Sequence, residues 1–156
     1  MEKTRGFIPV VEEMRKGTMD YILPTRGTSR SAGYDLASPI DVVIEPHSSA
    51  LIWTNIKAYM AEDEVLQLHV RSSVGIKKGL MLKNTVGIID ADYYSNEGND
   101  GNIGLNLRNM TDEAVVIEKG ERVCQCIFQK YLIADNDISL SESRVGGFGS
   151  TNVTNE

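Results

Sequence analysis

Cysteine is nearly absent from this chain, with Cys124 and Cys126 the only two in 156 residues. Stability from a disulfide framework is thereby excluded, and two side chains at alternate positions of a strand face one way without readily bonding to each other. We read both thiols as reduced packing residues. Histidine is as scarce. His47 and His69 stand alone, with no HxxH or CxxC nearby, so the ligand spacing of a zinc site is missing. No apolar run reaches the length of a membrane span, and the opening MEKTRGFIPVVEEMRKG lacks the apolar stretch of a secretory signal, so a cytosolic protein is expected. Positive charge is short too. With 16 Lys and Arg against 22 Asp and Glu, the formal charge is −6 and the pI near 5.0, which argues against a polynucleotide partner because such affinity is mostly supplied by cations displacing counterions from phosphates.

What is present is short, β-type and regularly punctuated. A chain of 156 residues is the size of one ordinary domain and buries roughly 70% of its unfolded surface on folding. Alternating apolar segments place strands near Phe7 to Val11, Ile40 to Ile44, Ala50 to Met60, Val65 to Val70, Val86 to Asp90, Ile103 to Arg108, Ala114 to Ile117 and Arg122 to Leu132, with Pro24, Pro39, Pro46 and glycines between them. Such spacing predicts an all-β sandwich or barrel. Ser73 to Lys78 has room for one or two helical turns before Gly79 ends them. We expect a β domain over residues 1–133 and an arm over residues 134–156, where IADNDISLSES loses apolar content and a glycine-rich end follows. The acidic chain also holds one basic stretch, Arg71, Lys77, Lys78 and Lys83, which suits a small polyanion better than a long one.

Five segments carry chemistry. In GIIDADY (Gly87 to Tyr93) an apolar strand ends in a turn bearing Asp90, Asp92 and a phenol. In RSSVGIKKG, Arg71, Ser72 and Ser73 follow the strand VLQLHV, and a guanidinium, two hydroxyls and the N–H groups of a helix start form a cradle for phosphate oxygens. SAGYDLAS places Asp35 among glycine and serine residues that permit a tight turn, just before an apolar strand. In KGERVCQCIF, Gln125 alternates away from its two cysteine neighbours and faces the other side of the strand. RVGGFGST lacks the GK[ST] ending of an NTPase phosphate loop.

In order and spacing, these segments resemble the five motifs of the trimeric dUTP pyrophosphatases, over nearly the whole chain from Ser31 to Thr151. The resemblance implies a jelly-roll-like β fold with a flexible C-terminal arm, a homotrimer with shared active sites, dUTP as substrate and Mg²⁺ as cofactor. It assigns Asp90 as general base, and Arg71, Ser72 and Ser73 to phosphate oxygens. Asn84, with backbone groups around Gly87 and Ile89, reads the pyrimidine edge, where uracil and cytosine differ by an acceptor and a donor. Tyr93 packs against the deoxyribose where a 2′-hydroxyl would go, and Gln125 supports the recognition hairpin. From the arm, Phe148 stacks on the base, Arg144 reaches the γ-phosphate, and Gly149, Ser150 and Thr151 line phosphates. Asp35 has two readings, the water shell of Mg²⁺ or an Asx turn. Asp92 braces the hairpin.

The chain departs from the family pattern at three places. Only Val145 separates Arg144 from the paired glycines, Asn152 stands where glycine is usual, and YSNEGNDGN adds about six residues after Tyr93, a length a hairpin tolerates well. That insertion reads either as a longer turn or as a partner-binding loop. The related dCTP deaminases share the RSS segment but need a proton-shuttling Glu where this chain has Asn106, and an amide cannot shuttle protons. A non-catalytic nucleotide-binding module is the alternative from another class. Asp35, Arg71, Asp90, Tyr93 and Phe148 occurring together speak against it.

Overall fold

The computed structural model describes residues 2–140 together with Arg144, Gly146, Gly147 and Phe148. The twelve strands in these residues are β1 (Gly6–Pro9), β2 (Thr25–Arg26), β3 (Tyr34–Ala37), β4 (Val42–Ile44), β5 (Ser49–Trp53), β6 (Ile56–Tyr59), β7 (Glu64–Val70), β8 (Leu80–Leu82), β9 (Gly87–Asp90), β10 (Gly104–Asn109), β11 (Val115–Ile117) and β12 (Arg122–Lys130). Helix α1 (Ser72–Lys78) is the one α-helix among the described residues. No helix among these residues is long and apolar enough to cross a membrane. Pairing is antiparallel throughout. A five-stranded sheet runs β2-β3-β12-β7-β9, a three-stranded one β5-β10-β8, and the pairs β1-β6 and β11-β4 complete a jelly-roll-like all-β fold.

The core lies between the sheets, because alternate residues of each strand turn inward. In β10 the inward set is Leu105, Leu107 and Asn109. Leu36 of β3, Ile52 of β5, Leu66 and Leu68 of β7 and Val123, Cys124 and Cys126 of β12 join it. Both cysteines are free and fully buried, and desolvation alone pushes the Cys124 thiol up to about 12. They pack, as the alternation predicts. Asn109 is buried without cost to the core because its amide donates to the carbonyls of Ile44 at 2.9 Å and Glu113 at 2.7 Å.

The segment expected as one strand from Ala50 to Met60 is two. Thr54 and Asn55 interrupt it, with Asn55 in the left-handed region at φ 57°. Before the break the chain pairs with β10, and after it with β1. The corner is held by Thr54, whose N–H and hydroxyl both donate to Ile103 O, and by Asn55, whose amide donates to the carbonyls of Lys16, Thr18 and Asp20. A second correction concerns Asp35. The tight turn expected there is strand β3, in register with β12, and Asp35 lies directly opposite Gln125. Helix α1 ends as expected at Gly79, left-handed at φ 64°, where a side chain would strike Thr111 Cγ2.

Candidate active site

Strands β8 and β9 are consecutive in the chain yet belong to different sheets, β8 beside β10 and β9 beside β7. Residues 83–86 therefore span the seam. Lys83 N–H donates to Asn106 O at 2.8 Å, and Thr85, at φ 65°, turns the chain so that its own N–H reaches Leu82 O and the Val86 N–H reaches Asn84 O. At this seam opens a cavity of about 180 Å³. Asn84, Gly87, Ile89, Asp90, Tyr93, Arg144 and Phe148, all named from sequence, line it together with Leu68, Ile88, Gly104 and Gly147. Glycine at position 87 follows from close approach, since a Cβ there would lie 2.9 Å from both Cβ and Cδ1 of Leu68.

Asp90 ends β9, its side chain half exposed. Its Oδ2 accepts from Arg144 Nη2 at 2.5 Å, while Arg144 Nε donates to Asp92 Oδ1 at 2.9 Å. Asp92, expected to brace the hairpin, thus holds the arm. The next residue of this short 3-10 turn, Tyr93, is buried. Its hydroxyl donates to Asn102 O at 2.7 Å and accepts from Asn99 Nδ2 at 2.7 Å. Burial raises its pKa, against the opposing pull of Asn99 and Arg144, so the phenol stays a protonated donor. Phe148 sits exposed at the lip, edge-on to Trp53 with ring centroids 5.9 Å apart. Gly149, Ser150 and Thr151 lie outside the described residues.

The remaining predicted residues gather elsewhere. Asp35, Arg71, Ser72 and Gln125 line a second cavity of about 190 Å³ with Gly27, Ser31 and Gly33, and it shares no lining residue with the first. Ser73 follows Ser72 on the same exposed turn of α1. Gln125 packs against Gly33, where a Cβ would meet its Oε1 at 2.6 Å. Arg71 Nε lies 3.3 Å from Asp35 Oδ1 and Arg122 Nη1 lies 3.1 Å from Asp35 Oδ2. Two guanidinium groups around one carboxylate leave one positive charge in excess, which suits phosphate oxygens. Arg122 is the member that sequence reasoning missed. No local signal marks it, because its approach depends on β3 pairing with β12, which brings Asp35 alongside.

Comparison with known proteins decides the family. The dUTPase family profile matches residues 20–152. This chain belongs to the dUTPase family. A deoxyuridine 5′-triphosphate nucleotidohydrolase of Lactococcus lactis is 49% identical over 96% of this chain and 98% of its own length. The crystal structure of the Streptococcus mutans dUTPase superposes with a TM-score of 0.74 at 44% identity, covering 84% of this chain and 99% of that one. The dUTPase of Staphylococcus bacteriophage 80alpha, solved with dUPNHPP, superposes with a TM-score of 0.69 at 27% identity, over 97% of this chain and 100% of that one. Among the described dUTPase residues, no three His, Cys, Asp or Glu side chains are grouped to hold a metal ion. Asp35 gives each of its oxygens to an arginine. With both oxygens engaged, Asp35 would meet a Mg²⁺ only through water, and the described residues form no protein cage for one.

The insertion after Tyr93 sends part of its length inward: Asn96, Asn99, Asp100 and Asn102 are all buried, while Ser95, Glu97 and Gly98 stay exposed. Asp100 forms a buried ion pair with Lys57 at 2.7 Å, and Asn102 exchanges hydrogen bonds with Asn55.

Proposed function

We propose that this chain hydrolyses dUTP to dUMP and pyrophosphate, with Asp90 as the general base. The observation that carries this reading is the convergence of Asn84, Gly87, Ile89, Asp90 and Tyr93 on one cavity at the sheet seam. The backbone of β9 and the Asn84 amide offer donors and acceptors to a pyrimidine edge, and a cytosine amino group would leave buried groups unpaired. The Tyr93 ring faces the sugar and excludes a ribose hydroxyl by bulk. Asp90 takes a proton from water as it attacks the α-phosphorus in line. Arg144, which holds Asp90 in the described structure, exchanges its carboxylates for the γ-phosphate when nucleotide enters. A Mg²⁺ would supply neutralising charge to the triphosphate, and Asp35 is the residue that would hold it, through water.

Phosphates fall to Arg71, Ser72 and Ser73, and the sheet register argues that these come from another copy. Asp90 pairs with Val65, whereas Asp35 lies opposite Gln125, which pairs with His69. Val65 and His69 stand four residues apart on β7, and β9 is three strand positions from β3. At about 3.3 Å per residue and about 4.8 Å per strand, the two carboxylates are roughly 20 Å apart within a chain. A homotrimer that brings the phosphate cluster of one copy to the base cluster of the next completes the site. Function in the cytosol, on a free nucleotide, is part of the same reading. Incubation of the protein with dUTP, dCTP and UTP, with assay of pyrophosphate and ammonia, tests it. Pyrophosphate from dUTP alone is expected; ammonia from dCTP, or no product, overturns it.

A further inference from the structure

The Tyr93 hydroxyl is engaged on both sides, donating to the Asn102 carbonyl and accepting from the Asn99 amide, each at 2.7 Å. A phenol with one donor and one acceptor partner in fixed positions cannot rotate out of plane without breaking a buried hydrogen bond. Its ring is thereby set. Asn99 is itself fixed. Its Oδ1 accepts from Asn96 Nδ2 at 2.8 Å and from Gly101 N–H at 3.1 Å. Asn96 in turn donates to Tyr93 O at 2.7 Å and accepts from the N–H groups of Gly98 and Asn99. The loop closes back on the turn it supports. Gly101, at φ 79°, passes so near that a Cβ would lie 2.8 Å from Tyr93 O.

The loop is also tied to the body of the protein. Asp100 binds Lys57 of β6 and accepts from the Val11 N–H, and Asn102 binds Asn55 at the corner between β5 and β6. Every buried side-chain nitrogen and oxygen among the described residues has a partner. Such a network is far more than a surface turn needs, and it meets the cavity-lining Tyr93 at its backbone through Asn96 and at its phenol through the Asn102 carbonyl and the Asn99 amide, the last being the one side-chain bond to the phenol among the described residues.

We propose that Asn99 is a positioning residue for the sugar test, fixing through its side-chain amide the ring of Tyr93 that discriminates deoxyribose from ribose. The proposal rests on the role given to Tyr93 above. A ring held at its hydroxyl presents one edge to the sugar; a ring freed there tilts and admits a 2′-hydroxyl.

The experiment compares kcat/KM for dUTP with that for UTP in wild type, Tyr93→Phe, Asn99→Ala, the double variant and Tyr93→Ala, with thermal melting of each. Tyr93→Phe keeps the ring and removes the handle. It breaks both hydroxyl bonds and should narrow the dUTP preference at least about fivefold, the factor one net hydrogen bond carries. Asn99→Ala removes one of those two bonds and should narrow it in the same direction, and adding it to Tyr93→Phe should narrow the preference no further, since the hydroxyl that Asn99 holds is already gone. An unchanged preference in Tyr93→Phe, or an undiminished effect of Asn99→Ala in the Phe background, overturns the proposal. Should Asn99→Ala fail to fold, Tyr93→Phe, which leaves the Asn99 bonds to Gly101 and Asn96 in place, carries the test alone. If Tyr93→Ala narrows the preference and Tyr93→Phe does not, the clamp is wrong and the ring's role stands. If neither does, the ring's role fails as well.

Discussion

Arg144 Nη2 and Asp90 Oδ2 lie 2.5 Å apart, so the group we assign as base is engaged by a cation from the C-terminal arm. A carboxylate held this way is aimed, but its acceptor oxygen is occupied until the guanidinium is drawn off. The triphosphate is the competitor that can draw it.

The base itself is tested by Asp90→Asn, which keeps shape and removes proton acceptance. We expect kcat to fall by at least about 100-fold, the low end for general base catalysis. Calorimetry with a non-hydrolysable dUTP analogue should still register binding. Near-normal turnover would remove Asp90 from the mechanism.

Removal of residues from Arg144 onward takes away the Arg144 bridge and the Phe148 lip together. The core clusters lie within β3 to β12 and are untouched, so the melting temperature and oligomeric state should hold. The value of kcat/KM for dUTP should fall at least about tenfold, because water is no longer excluded from the charge contacts. Full activity in the shortened protein would make the arm irrelevant.

Gly87→Ala inserts a methyl group where Leu68 Cβ and Cδ1 already stand at 2.9 Å from its position. Overpacking of this kind costs about 1–3 kcal/mol, and each kcal/mol lowers the melting temperature of a chain this size by about 2–4 °C. Activity should drop more than stability explains, because the hairpin that lines the cavity has to shift.

Sharing of the site between copies is tested by co-refolding Asp90→Asn with Arg71→Ala, each nearly inactive alone. If the two residues come from different chains, about a quarter of the mixed sites are whole. Recovery towards a quarter of wild-type turnover is the expected result, and mixed trimers confirmed by mass with no recovery would place both residues in one chain's site.

Cys124, with its thiol pushed up to about 12 by burial, and Cys126, raised further in the same direction, should resist iodoacetamide at pH 8. Thiolate is the reactive form, and both thiols stay protonated there. Mass spectrometry should find both labelled only after denaturation.

Much of this was legible in the sequence because it is local. Strand alternation turned Cys124 and Cys126 into the core and left Gln125 on the other face; Gly79 ended α1 in the conformation only glycine adopts easily. Asn84, Gly87, Ile89, Asp90 and Tyr93 are near neighbours in the chain and meet in one cavity. What escaped was set by distant partners. YDLA is too short to announce a strand, and becomes β3 by pairing with β12 on one side and β2 on the other. Asn55 breaks a good β segment because Asn102, 47 residues away, and the segment from Lys16 to Asp20 need its amide. The polar insertion reads as solvent-facing in isolation, and its burial depends on Lys57, which sequence gives no reason to place beneath it.

The link over residues 83–86 joins two sheets that have no strand in common. The nucleotide cavity therefore works like the gap of a calliper, with Leu82 on one jaw and Gly87 on the other. Its width is set by how the two layers stack, far behind the reacting atoms. Substitutions at Leu66, Leu105 or Leu107, none of which lines the cavity, should then register in substrate preference as well as in melting temperature. In this protein the interior is part of the measuring instrument.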